Sequence, residues 1–187
     1  MGIQVEETTI PGVRVCVPDV YPDPRGFFME TYQQERYEAA GIPGPFVQDN
    51  YSHSTRGVVR GMHYQVERAQ AKLVFVPHGE IFDVVVDVRR GSPTFGKWEG
   101  HHLSSENRKQ LYVPIGLAHG FCVLSEEVDV MYKCSNVYYP AGECGLLWSD
   151  PGIGIEWPVT DAIVSERDTK HPCLTDIDPD SLPIFGG

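Results

Sequence analysis

The 187-residue chain has no CxxC pair among its five cysteines and no apolar run near the ~20 residues that cross a bilayer. It also has too few bases to balance its acids. Cys16, Cys122, Cys134, Cys144 and Cys173 are scattered and odd in number. That pattern argues against a disulfide framework and against a zinc-thiolate site, and it leaves buried, reduced thiols, with Cys122 and Cys134 inside apolar strands. With Lys+Arg 15 against Asp+Glu 26, the net charge is −11. This balance disfavours nucleic acid and anionic membrane as partners. No basic-plus-apolar leader opens the chain, so the expectation is a soluble, cytoplasmic protein. What is present suffices for a core: 41% hydrophobic and 11% aromatic residues, in a length that suits one domain over 1–187.

The charge is unevenly distributed. Residues 1–55 sum to −5 and 126–187 to −9, whereas 56–125 sum to +3. The densest basic stretch carries Arg56, Arg60, Arg68 and Lys72 against Glu67 alone. An acidic protein with a basic middle can hold an anionic small molecule, because a site answers to local charge.

Short β-type runs separated by Gly, Pro, Asn or Asp dominate, at 13–20, 46–53, 58–65, 110–113, 119–124 and 128–134. Residues 72–88 contain two such runs joined around His78-Gly79, which predicts a hairpin. In the second, Phe82, Val84, Val86 and Val88 form a fully apolar face, while Asp83 and Asp87 lie on the other. One helix is expected, over 33–40, stopped by Gly41 and Pro43. The tail from 140 onward is rich in proline and acid and should pack outside with a short helix or two. Many short strands point to an all-β antiparallel sandwich or barrel.

The segment 48–65, QDNYSHSTRGVVRGMHYQ, is polar for a strand-forming stretch. Gln48, Asn50, Arg60, His63 and Gln65 are candidates to line one cavity, since a barrel interior that holds polar groups is a ligand site. Strict alternation puts 61, 63 and 65 on one face and 60, 62 and 64 on the other. Residues 114–121, PIGLAHGF, resemble the second signature of the cupin superfamily. The first signature supplies His-x-His and a Glu as metal ligands, whereas here the match is His63-x-Gln65. The expectation is a cupin-like barrel (jelly roll) that works without metal.

DPRGFFMETY (23–32), FVQDNYSHSTRGVVRGMHYQ (46–65), KLV (72–74), EIFDVVVDVRRGSPTFGKW (80–98), PIGLAHGFCVLSE (114–126), MYKC (131–134) and SERD (165–168) occur in order. Together they resemble the dTDP-4-dehydrorhamnose 3,5-epimerase family over about residues 10–170. Pro24, Met62 and Arg167 depart from its usual residues. The resemblance implies a dTDP-linked 4-keto-6-deoxy sugar as substrate, no cofactor, no metal and a homodimer. It implies His63 as base, Asp168 as its carboxylate partner, Lys72 beside the enolate oxygen and Tyr132 as acid. His119 and Asp83 would support the base. Arg25 and Arg60 would take the pyrophosphate, Phe28 would stack on the base with Glu30 and Gln48 as polar partners, and Asn50 would position the sugar. Residues 23–30 are candidates to complete a neighbouring subunit's site. The alternatives are a C3-only or C5-only epimerase, a non-catalytic sugar-nucleotide-binding cupin, and a metal-dependent cupin.

Overall fold

The computed structural model describes residues 1–186. Its strands form two facing antiparallel sheets, an all-β jelly roll. The first sheet runs in the order β1 (Ile3–Glu7), β2 (Arg14–Pro18), β10 (Gln110–Val113), β7 (Lys72–His78), β12 (Glu127–Cys134), β5 (Gln48–Thr55). The second runs β13 (Glu143–Gly145), β6 (Val58–Gln65), β11 (Leu117–Val123), β8 (Glu80–Asp87), β9 (Trp98–Ser104), with β14 (Ile163–Val164) parallel to β6. A separate two-stranded hairpin joins β3 (Val20–Asp23) and β4 (Gly26–Met29). The helix α1 (Gln34–Ala39) is capped by the Gln33 side chain and ends, with Ala40 as its C-cap, before Gly41 as expected. No helix among the described residues is long and apolar enough to cross a membrane.

The expected hairpin at 78–79 does not form. β7 pairs with β10 and β12, while β8 pairs with β11 and β9, so the two runs lie in opposite sheets. The chain turns a corner at Gly79, whose φ is +80°. A Cβ there would collide with the Glu127 carbonyl and the Ser125 hydroxyl, so glycine is needed on both counts. A tight turn between two apolar runs therefore reads the same whether the strands pair or separate.

The two faces of β8 separate two cores. Ile81 and Val85 point between the sheets and join Val74, Val76, Leu111, Phe121, Val128 and Val130. Val84, Val86 and Val88 point outward, and Ile153, Ile155, Trp157, Leu174, Ile177 and Leu182 of the tail cover them. Full burial of each such Val or Leu contributes about 1.5–3 kcal/mol, so the tail is held by its apolar contacts. The fully apolar face of β8 thus faces away from the barrel. The face that carries carboxylates lines the interior, where Asp83 and Asp87 are both buried.

Candidate active site

Two neighbouring cavities, of about 290 and 720 Å³, share His63, Lys72, Tyr132, Tyr138 and Glu143. Gln48, Asn50 and Gln65 line the smaller one, and Arg60, His119 and Asp168 the larger. The polar 48–65 segment therefore converges as expected. On β5 the side chains of Gln48, Asn50 and Ser52 are half-buried while Asp49, Tyr51 and His53 are exposed, the alternation of a strand with one face inward.

On β6 that alternation breaks. His119 pairs with His63 and Phe121 with Arg60, so two residues, Gly61 and Met62, oppose the single Gly120. This bulge turns Arg60 to the same cavity as His63, against the strict two-face reading. Gly61, at φ +120°, lies so close to the partner strand that a Cβ would collide with Gly120 and the His119 carbonyl.

The bulge also aims a backbone N–H. Gly61 N–H donates to Asp168 Oδ2 at 3.3 Å, and His63 Nε2 lies 2.8 Å from Asp168 Oδ1. Asp168 comes from the tail, 105 residues along the chain, and its side chain is 4% exposed. Burial works to raise its pKa, but the His63 hydrogen bond, Gly61 N–H and Arg167 together hold it below the usual carboxylate range. His63 is pushed down, first by desolvation and further by Arg167 and Lys72, while Asp168 pulls it back up. Burial likewise lowers the pKa of Lys72, which has no hydrogen bond or ion pair among the described residues. Burial raises that of Tyr132, so its phenol stays protonated.

His63 sits on β6 of the second sheet, whereas Tyr132 (β12) and Lys72 (β7) sit on the first. Tyr132 shares the inward face of β12 with Val128 and Val130, as the flanking Met131 and Lys133 required. A molecule between the sheets would therefore meet an imidazole on one side and a phenol and ammonium on the other. Deeper in, His119 Nε2 bonds both oxygens of Asp83 at 2.9 Å. Asp87 is committed elsewhere, to Arg89, Ser92 and Thr94.

Several residues at the site carried no signal in the sequence. Tyr138 and Glu143 line both cavities, and the Tyr138 hydroxyl donates to Glu143 Oε2 at 2.8 Å. Arg167 reaches Glu143 Oε2 at 2.9 Å, Asp168 Oδ1 at 3.3 Å and His63 Nε2 at 3.0 Å. His171 stacks edge-on to His63 at 5.7 Å, in room left by Gly145. All four act from a loop, from the three-residue β13 or from the tail. Only the SERD motif, through Arg167, hinted at any of them.

The donor set of a metal-binding cupin does not fit here. Gln65 is occupied by the Arg68 carbonyl and the Tyr139 N–H, and His119 by Asp83. His63, Asp168 and His171 do bring ligand atoms within 4.8 Å of one another, but the Arg167 guanidinium lies against two of the three and opposes a cation.

Three expected residues stay away from the cavities, and a fourth, Asp83, reaches the larger one only through His119. Arg25 pairs with Asp23 at 2.6 Å, Glu30 with Arg36, and Phe28 is 60% exposed, all on or beside the β3–β4 hairpin. None of them lines either cavity within one chain.

The family profile described as dTDP-4-dehydrorhamnose 3,5-epimerase matches residues 7–176. A dTDP-4-dehydrorhamnose 3,5-epimerase of Shigella flexneri is 52% identical over 178 residues, covering 94% of this chain and 98% of that protein. The solved dTDP-6-deoxy-D-glucose-3,5-epimerase of Legionella pneumophila, in complex with dTDP-4-keto-L-rhamnose, superposes with a TM-score of 0.95 at 45% identity. That match covers 99% of this chain and all of the other. A 3'-monoepimerase of Streptomyces bikiniensis, solved with dTDP-quinovose, gives a TM-score of 0.90 at 36% identity and covers 96% and 92% of the two chains. The chain belongs to the dTDP-4-dehydrorhamnose 3,5-epimerase family.

Proposed function

We propose that the chain inverts C3 and C5 of a dTDP-linked 4-keto-6-deoxyhexose, converting dTDP-4-dehydro-6-deoxyglucose to dTDP-4-dehydrorhamnose. The observation that carries the reading is the His63–Asp168 pair, facing Tyr132 and Lys72 from the opposite sheet. The carbons beside a ketone are acidic because the electrons left behind enter an enolate. Inversion needs the proton to leave one face of the ring and return to the other.

His63 takes the proton. Asp168, held ionised, fixes the Nε2–H tautomer, leaves Nδ1 free to accept, and stabilises the imidazolium that forms, the role of the carboxylate in a Ser-His-Asp triad. Lys72 faces the developing oxyanion; a positioned donor of this kind is worth about 2.7–4 kcal/mol. Its burial strengthens that interaction, because little water competes for the ammonium. Tyr132 returns a proton from the far face. His119, tied to Asp83, supports the wall behind the base, and Asn50 holds the sugar; Gln48, expected beside the nucleotide base, lines the same cavity as Asn50. Arg60, whose guanidinium donates to Ser54 Oγ and the His53 carbonyl, would take the pyrophosphate at the larger cavity.

The rest of the nucleotide site is proposed to come from a second copy of the chain. Arg25 and Phe28 project on an exposed hairpin and line neither cavity, and docking this hairpin on a partner would supply a phosphate fork and a stacking ring. The working unit is then a homodimer.

Incubation with the 4-keto sugar nucleotide in D₂O tests the reading. Exchange and inversion at both C3 and C5 are expected. Inversion at C3 alone would reassign the chain to the activity named for the Streptomyces niveus 3-epimerase, to which it is 45% identical over 179 residues. Absence of exchange would leave only binding.

A further inference from the structure

We propose that Arg167 is a positioning residue that selects the tautomer of His63, and that Glu143 and Tyr138 tie its position to whether the cavity is filled. This rests on the epimerase reading of the same cavity. His63 Nε2 has two neighbours with opposite demands. Asp168 Oδ1, at 2.8 Å, only accepts when ionised; Arg167 Nη2, at 3.0 Å, only donates. One ring nitrogen cannot satisfy both. With the proton on Nε2, the ring bonds Asp168 and keeps a lone pair on Nδ1, the form able to take a substrate proton. With the proton on Nδ1, Nε2 accepts from Arg167 and the base is blocked. Once a proton is abstracted, both nitrogens carry hydrogen and the guanidinium faces a like charge. Asp168 therefore favours the ready base and its imidazolium, and Arg167 opposes both.

The other groups packed on His63 do not compete for Nε2. Lys72 faces it from β7, and His119 is its register partner on β11 but is bonded to Asp83. His171 approaches from the tail turn that carries Asp168, its Nε2 3.7 Å from Asp168 Oδ1. Arg167 is the one that can leave. Its side chain is 55% exposed, so movement costs little packing. It is held by Glu143 Oε2, on which Tyr138 also donates, and both of these line the cavities beside His63 and Lys72. A sugar nucleotide that engages Glu143 or Tyr138 loosens that hold, and Nε2 passes to Asp168. The base is checked in the empty site and released in the filled one.

The experiment is ¹⁵N NMR of the His63 ring in the full-length protein, without ligand and with dTDP-sugar product, beside kcat/KM against pH. In the ligand-free wild type a substantial Nδ1–H population is expected, and it should fall on binding. Both R167Q and E143Q should move the ligand-free ring to the Nε2–H tautomer. The acid limb of R167Q should rise by roughly half a unit to one unit, since a positive charge beside the imidazole is gone. R167K, which keeps the charge without the planar fork, should bring the limb back toward the wild-type position. An R167Q protein with unchanged tautomer and limb, and only a raised KM, would overturn the proposal and leave Arg167 a substrate contact. The ring measurement needs no turnover, so it fails independently of the epimerase reading, which falls only if wild-type deuterium exchange is absent.

Discussion

The proposed catalytic half and the proposed nucleotide half of the site are built differently. His63, Asp168, Lys72 and Tyr132 meet within one chain, fixed by strand register and by a tail that the outer core clamps to the barrel. Arg25, Phe28 and Glu30 stand on a two-stranded hairpin outside both large sheets, their charges met only by near neighbours in sequence. A group that moves protons must be placed to a fraction of an ångström, and a rigid barrel does that. A group that grips a nucleotide tolerates more slack, so it can arrive on another subunit. Substitutions in the first half should therefore act on the chemical step, and those in the second on binding.

The largest effect belongs to Asp168→Asn. The amide keeps the shape but can no longer favour Nε2–H, and it deprives the imidazolium of its counter-charge. A fall in kcat of about 10⁴ is expected, of the size seen when a triad carboxylate is made an amide. A loss below tenfold would break the dyad. Tyr132→Phe comes next. Without the phenol, deuterium exchange from the His63 face should persist while inversion falls by about 10²–10⁴. If exchange and inversion fall together, Tyr132 is not the far-face acid.

For the hairpin, Phe28→Ala should raise KM about 10–100-fold with kcat nearly unchanged, as loss of one base–aromatic stack is worth about 1–3 kcal/mol. Whether that stack is made across a dimer is tested by mixing two defective proteins. In a heterodimer of His63→Asn with Arg25→Ala, one site would have an intact base and the intact hairpin of its partner. Random mixing then returns about a quarter of wild-type activity. No recovery at all would place the hairpin in its own chain's site.

Much of the proposed catalytic half is legible in the sequence, because strand alternation and short motifs carry it. Gln48, Asn50, His63 and Tyr132 all face inward as their spacing required. Legibility failed where a single backbone event changed the rule. The bulge at Gly61–Met62 put Arg60 beside His63, and the corner at Gly79 sent two apparent hairpin strands into opposite sheets. Tyr138, Glu143 and His171 were silent for another reason. They come from a loop, from the three-residue β13 and from the tail, stretches too short or too irregular for a periodicity to report which way a side chain points. The hairpin residues were legible as types but not as a place, since none of them lines either cavity of its own chain.

The smallest effect is also the most discriminating, for it asks whether the two halves are independent. Desolvation, Arg167 and Lys72 lower the pKa of His63, so the base stays neutral to a more acid pH than a free imidazole. The acid limb of kcat/KM is expected below the ordinary histidine value of about 6.5. On the alkaline side, burial moves Lys72 down and Tyr132 up, so the two shifts work toward loss of the ammonium before the phenol proton. The prediction is that the alkaline limb reports Lys72. Lys72→Arg should move it upward, whereas Tyr132→Phe should leave its position unchanged in whatever activity remains. Arg25 touches none of these groups; its charge is spent on Asp23. Arg25→Ala should thus raise KM and leave both limbs where they are. A shifted limb in that variant, measured by full kcat/KM profiles, would mean that the hairpin reaches the base electrostatically and that the two halves form a single titrating unit.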